Sequence, residues 1–310
     1  MNKDTGKTKA LVLLSGGLDS TLAVKLLLEQ DIEVEGICFY SNFFGCEAAR
    51  KAAAQLKINL REIDISEEFL EFLRRKPKYG YGVGLNPCID CHALMLKKAG
   101  EIMKNEGFSF VATGEVLGER PMSQHKKALK IIEKEAGLEG YLLRPLSAKL
   151  LQSTMPEVKG LVIRDKLMDI SGRSRKRQMD LAKKFGISNY PTPAGGCALT
   201  QGGFVERMKD LIKHKPEFDL NDAKLVKVGR HFWVNDVQII LGRSEEENKK
   251  LSQGRQKKDV VIEPENFIGP SALIRNVADD EVIKKAKELI IKSSPKAKKV
   301  KVFQFKLKRI

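Results

Sequence analysis

Short apolar runs alternate with amphipathic stretches along the first half of the chain. Leu11–Leu14 is an apolar run long enough for a buried parallel strand, and it leads through Ser15–Ser20 into helix-compatible residues that continue to Leu28. The same patterns predict further strands at 34–40, 60–65, 108–112 and 141–143, and helices at 47–56, 67–75, 92–104 and 172–184. Strands and helices that alternate at this spacing predict βαβ units, and therefore an α/β fold with a doubly wound parallel sheet.

The pattern changes after about residue 218. A strand, a turn and a helix start are predicted over 237–248, and further strands over 259–262 and 269–275. Apolar residues also recur from Val300 to Leu307 within a basic tail, which predicts that part of the tail is a strand rather than a disordered arm. We therefore expect two domains, 1–205 and a smaller α+β domain at 218–310.

The turn after the first strand has the chemistry of an anion site. Gly16 and Gly17 permit positive φ and close backbone approach, and the helix start that follows presents unpaired N–H groups. The residues expected to contact a nucleotide here are Ser15, Gly16, Gly17, Leu18, Asp19, Ser20 and Thr21, the three hydroxyls as phosphate ligands. Because a carboxylate beside phosphate needs a cation, we expect Asp19 to contact Mg²⁺.

A second strand-to-turn transition lies at Thr113–Gly118. Carboxyl ends of parallel strands meet at one edge of a sheet, where ligands bind, so we expect Thr113 and Gly114 to line the same nucleotide site.

Three of the five cysteines have positions that suggest chemistry. Cys88 and Cys91 form a CxxC at a predicted helix start, where the pKa of a thiol is lowered, and Cys197 follows two glycines far downstream. Cys38 is expected to be a small buried hydrophobe, Cys46 to have no chemical role, and the set not to form a disulfide framework.

Charge and hydropathy limit the partners. The formal net charge of +16 favours a polyanion such as RNA, although a solvated lysine-rich surface would give the same value. No apolar run approaches the roughly 18 residues of a membrane span and the N-terminus has no apolar signal core, so no membrane partner and a cytoplasmic location are expected.

Several motifs resemble known families. SGGLDS at 15–20 resembles the PP-loop of ATP pyrophosphatases, which have an adenine nucleotide α-hydrolase-like fold and cleave ATP between its α- and β-phosphates. VATGEVLGERPMSQ, RPLSAK and GRSRKRQMDLAKKFG resemble the catalytic domain of tRNA 4-thiouridine synthases, and NPCIDC resembles the NPCxxC of tRNA 2-thiouridylases. The GR…N and GP…R pattern after residue 237 resembles the NFACT-type RNA-binding domain.

These resemblances imply an ATP-dependent tRNA sulfurtransferase that adenylylates a base carbonyl and replaces its oxygen with sulfur from sulfide or a persulfide-carrying desulfurase. Two versions of the sulfur step stay open. Cys88, Cys91 and Cys197 are the predicted catalytic residues in both, with Asp19 on the ATP side; in one they hold a [4Fe–4S] cluster, and in the other they carry and resolve a persulfide. Zinc, with His92 as an added ligand, is a weaker option. The other readings are an adenylylating enzyme for a small molecule and a non-enzymatic RNA-binding protein.

Overall fold

The computed structural model describes residues 7–191, 196–276 and 279–309, and it divides the chain into two compact units, Met1–Thr200 and Gln201–Ile310. The domain limits expected from the sequence, 1–205 and 218–310, stay a prediction. Within the described residues, none of the helices has the length and apolar character needed to cross a lipid bilayer.

Unit 1 is built on a parallel sheet of five strands in the order β3-β2-β1-β4-β5, as the alternating pattern predicted. Its strands are β1 (Lys9–Leu13), β2 (Glu33–Tyr40), β3 (Asn59–Asp64), β4 (Phe110–Thr113) and β5 (Leu142–Leu143). Its helices are α1 (Leu18–Leu28), α2 (Glu47–Leu56), α3 (Ser66–Arg75), α4 (Cys88–Glu106), α5 (Lys126–Glu135), α6 (Met155–Val158) and α7 (Lys176–Lys184).

The sheet core determines where a ligand can bind. Leu11 and Val12 of β1 are fully buried, because the strand is central and helices cover both faces. β1 connects through α1 to β2 on one side, while β4 pairs with it on the other, with Thr113 opposite Leu13. This is the topological switch point, so the carboxyl ends of β1 and β4 frame the expected crevice.

Two helix starts differ from the expected ones, and α7 begins at Lys176 rather than at residue 172. The sequence pattern placed the helix at 92–104, with the CxxC ahead of it, whereas α4 begins at Cys88. Pro87 occupies the position before the first helical residue, where its fixed φ and missing N–H are tolerated. Both cysteines of the CxxC therefore lie within the first turn of α4.

Unit 2 is an antiparallel sheet of five strands in the order β10-β8-β9-β7-β6, which confirms the smaller α+β domain. Its elements are α8 (Gly202–His214), α9 (Leu220–Leu225), β6 (Arg230–Val234), β7 (Val237–Leu241), α10 (Glu245–Gln253), β8 (Val260–Pro264), β9 (Ala272–Ile274), α11 (Asp280–Lys292) and β10 (Phe305–Arg309). α11 packs on one face of the sheet through Val282, Ile283, Ala286 and Ile290.

The tail contributes a strand to unit 2, as predicted. β10 pairs antiparallel with β8, from Phe305 opposite Pro264 to Arg309 opposite Val260. The reading of the tail as a disordered arm therefore does not apply to these residues.

Candidate active site

The turn between β1 and α1 is shaped for a phosphate group. α1 begins after Gly17 with no side-chain cap, which leaves its first N–H groups for a ligand. The Ser20 and Thr21 hydroxyls donate to the Gly17 carbonyl at 3.0 and 2.9 Å and close the turn from inside. The Ser15 hydroxyl accepts from Gly17 N–H at 3.3 Å and is exposed.

Two glycines hold this turn in place from opposite sides. Gly16 has φ +77°, and a Cβ there would overlap the backbone of Ala48 in α2. A Cβ at Gly114, just after β4, would overlap the backbone of Asp19 and Ser20. Because any side chain at either position would displace α1 or α2, both must be glycine.

The two residues predicted after β4 have different environments. Gly114 forms the wall of the turn, as just described. The buried Thr113 hydroxyl instead donates to the Glu115 carboxylate at 3.2 Å. Its oxygen is thus oriented by Glu115, and Gly114 is the member of the pair in direct contact with the loop.

Several buried polar atoms lie around the carboxylate of Asp19, in the first turn of α1. Oδ1 of Asp19, Oε2 of Glu119, Nε of Arg175 and both amide atoms of Gln178 are buried and make no hydrogen bond. Burial raises the pKa of Asp19 despite Arg175 and Arg120, and burial together with the Asp19 charge raises the pKa of Glu119. Such a set of unsatisfied atoms calls for a ligand, an ion or water. Sequence reasoning found only Asp19 of these residues.

The three predicted cysteines approach one another at the start of α4. Cys91 is buried, and burial first, then the neighbouring Cys197 and Cys88 sulfurs, raise its pKa well above the usual value. Burial thus opposes the lowering of the pKa that the helix start was expected to give Cys91. Cys88 is half-buried, and the amide of Asn86 donates to its sulfur at 3.0 Å.

Backbone hydrogen bonds of neighbouring residues hold Cys197 near the start of α4. Leu85 N–H donates to the Leu199 carbonyl at 3.0 Å, and Ala198 N–H donates to the Phe43 carbonyl at 2.9 Å. Of the two glycines before Cys197, Gly195 lies outside the described residues, and Gly196 is exposed.

The three cysteine thiols are the candidate ligands at the start of α4. Among residues 7–191, 196–276 and 279–309, no three His, Cys, Asp or Glu side chains converge as ligands of one metal ion. In a [4Fe–4S] cluster each thiolate binds a different iron, so three neighbouring sulfurs need not converge on one point. His92, the candidate zinc ligand, has its Nδ1 at 2.8 Å from the Glu115 carboxylate.

A buried ionic network borders the cysteine helix and was missed from the sequence. Glu115 accepts from Arg144 Nε at 2.9 Å and pairs with His92, while Arg144 also donates to Glu133 at 3.1 Å. Burial would raise the pKa of Glu115, but Arg144 and His92 outweigh it and lower the pKa to about 2. The only sequence signal was an acid directly after Thr113-Gly114.

The other two cysteines do not behave as expected. Cys38 and Cys46 form a disulfide, so Cys38 is not a lone hydrophobe and Cys46 is not inert. β2 ends at Tyr40 and α2 begins at Glu47 on the same sheet edge, which brings the two Cα atoms to 6.0 Å, within the usual range for a disulfide. The sequence could not show this, because the pairing depends on the return of the β2–α2 loop.

The aromatic residues of β6 in unit 2 have different surroundings. Trp233 stacks on His214 with ring centroids 4.6 Å apart and 16° between planes, and Phe232 packs against the core beneath α11. Phe232 is therefore a partly buried residue of the unit 2 core.

Comparison with known families identifies both parts of the chain. The family model for the tRNA methyl transferase HUP domain matches residues 8–162, and that for the NFACT protein RNA binding domain matches residues 229–309. These matches confirm the resemblances to PP-loop and NFACT-type domains.

Individual relatives carry tRNA thiolation names. The chain is 40% identical over 117 residues to the tRNA-specific 2-thiouridylase MnmA of Sulfurimonas denitrificans, a match covering 34% of each chain. It is 25% identical over 286 residues to the MnmA of Methylobacterium nodulans, covering 85% of this chain and 71% of that one. It is 25% identical over 211 residues to a probable tRNA sulfurtransferase of Methanosarcina mazei, covering 66% and 45%. The chain thus spans less than half the length of two of these relatives.

Proposed function

This chain belongs to the tRNA methyl transferase HUP domain family, and we propose that it is an ATP-dependent tRNA sulfurtransferase that adenylylates a base carbonyl and replaces its oxygen with sulfur. One observation carries the proposal: a single segment contacts both halves of the site. Ala48 packs against Gly16 of the phosphate turn. The Phe43 carbonyl accepts a hydrogen bond from the N–H of Ala198, which follows Cys197. Activation of an acceptor and delivery of sulfur therefore have their residues at neighbouring places in one unit.

In the first step, the β1–α1 turn binds the phosphates of ATP through the uncapped N–H groups of α1. The base carbonyl oxygen attacks the α-phosphorus, the bond to the β-phosphate oxygen breaks, and pyrophosphate leaves. Asp19 Oδ1 fits the Mg²⁺ that such a reaction uses, because it is a buried oxygen with no hydrogen bond. The chain's contribution is to position the reactants and neutralise charge.

In the second step, a sulfur nucleophile attacks the activated base carbon and AMP leaves. In the persulfide version, the terminal sulfur bonds to carbon, and a second cysteine then attacks the carrier sulfur, which forms a disulfide and frees the thiocarbonyl. In the cluster version, Cys88, Cys91 and Cys197 would hold a [4Fe–4S] cluster that supplies an open iron for sulfide. The presence of three neighbouring thiols favours the cluster, since a persulfide relay needs only two.

The acceptor in this proposal is tRNA. The relatives' names refer to tRNA, unit 2 matches an RNA-binding family, and the net charge of +16 suits a polyanion. Sulfide or a persulfide-carrying desulfurase would supply the sulfur, and the reaction would take place in the cytoplasm.

Nucleoside mass spectrometry of tRNA from a deletion strain tests the function. We expect one thionucleoside to disappear and to return with the wild-type gene but not with Cys197→Ser. An unchanged profile would overturn the proposal and favour adenylylation of a small molecule.

Anaerobic iron and sulfide analysis with a visible spectrum tests the choice of sulfur step. We expect about four irons per chain and a brown protein. A colourless, iron-free and fully active enzyme would exclude the cluster and leave the persulfide version.

A further inference from the structure

The side chain of Asn86 is enclosed by the loop that leads into α4. Asn86 is more than nine-tenths buried. Its Oδ1 accepts from Gly84 N–H at 3.1 Å, and its carbonyl accepts from Gly82 N–H at 2.9 Å. A Cβ at Gly82 would lie 2.3 Å from Asn86 Nδ2. Because a side chain at Gly82 would collide with the amide, the backbone of the loop can wrap directly around it.

The direction of the Asn86 amide follows from these partners. A backbone N–H can only donate, so the amide oxygen faces Gly84. The NH₂ group then faces Cys88, and Nδ2 donates to its sulfur at 3.0 Å. An amide turned the other way would place an oxygen against the sulfur and leave Gly84 N–H without this acceptor, so the loop selects one of the two orientations.

The residues on either side of the asparagine hold the other two cysteines. Leu85 N–H donates to the carbonyl of Leu199, two residues after Cys197, at 3.0 Å. The Pro87 carbonyl accepts from Cys91 N–H at 2.8 Å, at the start of α4. The asparagine therefore lies between two backbone contacts that fix its position, and its donor cannot turn away from the Cys88 sulfur without breaking them.

An N–H donor at a sulfur has a specific chemical effect. A hydrogen bond is stronger when its acceptor is charged, so the amide favours a sulfur that carries negative charge. A cysteine attacks an electrophile or binds iron through its thiolate, and hydrogen bonds to the sulfurs adjust the properties of iron–sulfur clusters. The amide supplies this stabilisation without adding a charge of its own.

We propose that Asn86 is a positioning residue of the sulfur step, which holds the Cys88 sulfur in one direction and stabilises negative charge on it. This role rests on the proposed sulfur transfer and adds to it a residue that carries no sulfur. It is the same whether Cys88 acts as a nucleophile or as an iron ligand. Cys88 is then the more reactive sulfur of the CxxC, because Cys91 is buried.

Alkylation of the cysteines in the full chain, purified without iron, tests this role. The protein reacts with iodoacetamide under nitrogen, and mass spectrometry follows Cys88 and Cys197, which are both half-buried. Asn86→Asp keeps the volume and the oxygen that accepts from Gly84, but it places a second oxygen against the sulfur. We expect alkylation of Cys88 to slow about 10-fold and that of Cys197 to change less than about 2-fold.

Asn105→Asp is the matched control, since it makes the same change at an exposed position of the same helix. Both alkylation rates should equal those of wild type in this variant. Thermal unfolding followed by circular dichroism checks that the variants fold. Where Asn86→Asp does not fold, Asn86→Ala repeats the measurement, because it removes the donor without adding a charge.

Two outcomes would overturn the role of Asn86. One is an equal Cys88 rate in Asn86→Asp, Asn105→Asp and wild type. The other is equal slowing of Cys88 and Cys197, since an asparagine that only shapes the loop would loosen both cysteines together. Alkylation needs neither ATP nor tRNA, so an unchanged thionucleoside profile in the deletion strain would remove the proposed function and leave the result on Cys88 in place.

Discussion

Each unit buries one arginine against two carboxylates, but the two networks end at different neighbours. Arg144 of unit 1 donates to Glu115 and Glu133, and Glu115 continues to the partly exposed His92 on α4. Arg275 of unit 2 donates to Asp222 at 2.8 Å and to Asp259 at 2.7 Å, and both carboxylates are buried.

The difference lies in what each network holds. In unit 2 both carboxylates also accept hydrogen bonds from the backbone: Asp222 from Asp219 N–H and Asp259 from Asn276 N–H. Arg275 therefore joins α9 to the end of β9. In unit 1 the network reaches His92, next to Cys91 in the first turn of α4. Similar chemistry thus stabilises one unit and, in the other, also orients the helix that carries the cysteines.

The strongest test of the comparison is to remove the arginine of unit 2. Arg275→Leu leaves Asp259 buried without a cation and Asp222 with Lys215 alone, so we expect the free energy of unfolding of unit 2 to fall by about 3 kcal/mol. Trp233 is the single tryptophan of the chain and lies in β6, so its fluorescence during urea unfolding reports unit 2.

Arg243→Leu is the control for this experiment. Arg243 is half-exposed and pairs with Glu247, so its loss should cost no more than about 1 kcal/mol. If both variants unfold at the same urea concentration, the Arg275 network is not what holds unit 2 together.

The network of unit 1 should stabilise the fold less at low pH. The pKa of Glu115 falls from 4.5 to about 2 on folding, so its stabilisation is complete above pH 4.5 and is lost as the pH falls to 2. A shift of this size corresponds to about 3 kcal/mol. We expect Glu115→Gln to lack this part of the acid sensitivity, measured by urea unfolding with far-ultraviolet circular dichroism from pH 5 to pH 2. A pH dependence as steep as that of wild type would contradict this role.

Unit 2 should respond to acid in a higher pH range. Burial lowers the pKa of His231 from 6.5 to about 4, against the opposing effect of its hydrogen bond to Val228. Because the folded state disfavours the protonated ring, this stabilisation is complete above pH 6.5 and is lost as the pH falls to 4. His231 is partly exposed, so we expect a loss of about 2 kcal/mol. Trp233 fluorescence in urea measures it, and an unchanged midpoint between pH 7 and pH 4 would contradict it.

Most of the first sheet was predictable because β1, β2 and β4 are largely buried apolar runs. β2 and α2 lie within a residue of their predicted limits, since central parallel strands and amphipathic helices have distinct periods. β6 and α8 were not predicted. β6 ends in a two-residue turn in which Asn235 and Asp236 both have positive φ, so the sequence carried a hairpin signal. The strand itself was missed because none of its side chains is fully buried.

The site was predictable where chemistry is carried by a local motif. The β1–α1 turn and the CxxC are contiguous in sequence, so their residue types identified them. Glu119 and Gln178 meet Asp19, and Arg144 meets Glu115 29 positions away, only because the folded loops bring them together. Side chains of these types occur throughout a chain with this much charge, and no spacing distinguishes the ones that meet.

The two glycines on either side of the phosphate turn have a consequence for binding. Gly16 touches Ala48 and Gly114 touches Ser20, so the first N–H groups of α1 already point in fixed directions before a ligand arrives. A preorganised turn of this kind loses little conformational entropy on binding, because its backbone is already fixed when the protein folds. The nucleotide therefore binds a rigid turn, and most of its binding free energy is available to orient the reacting phosphate.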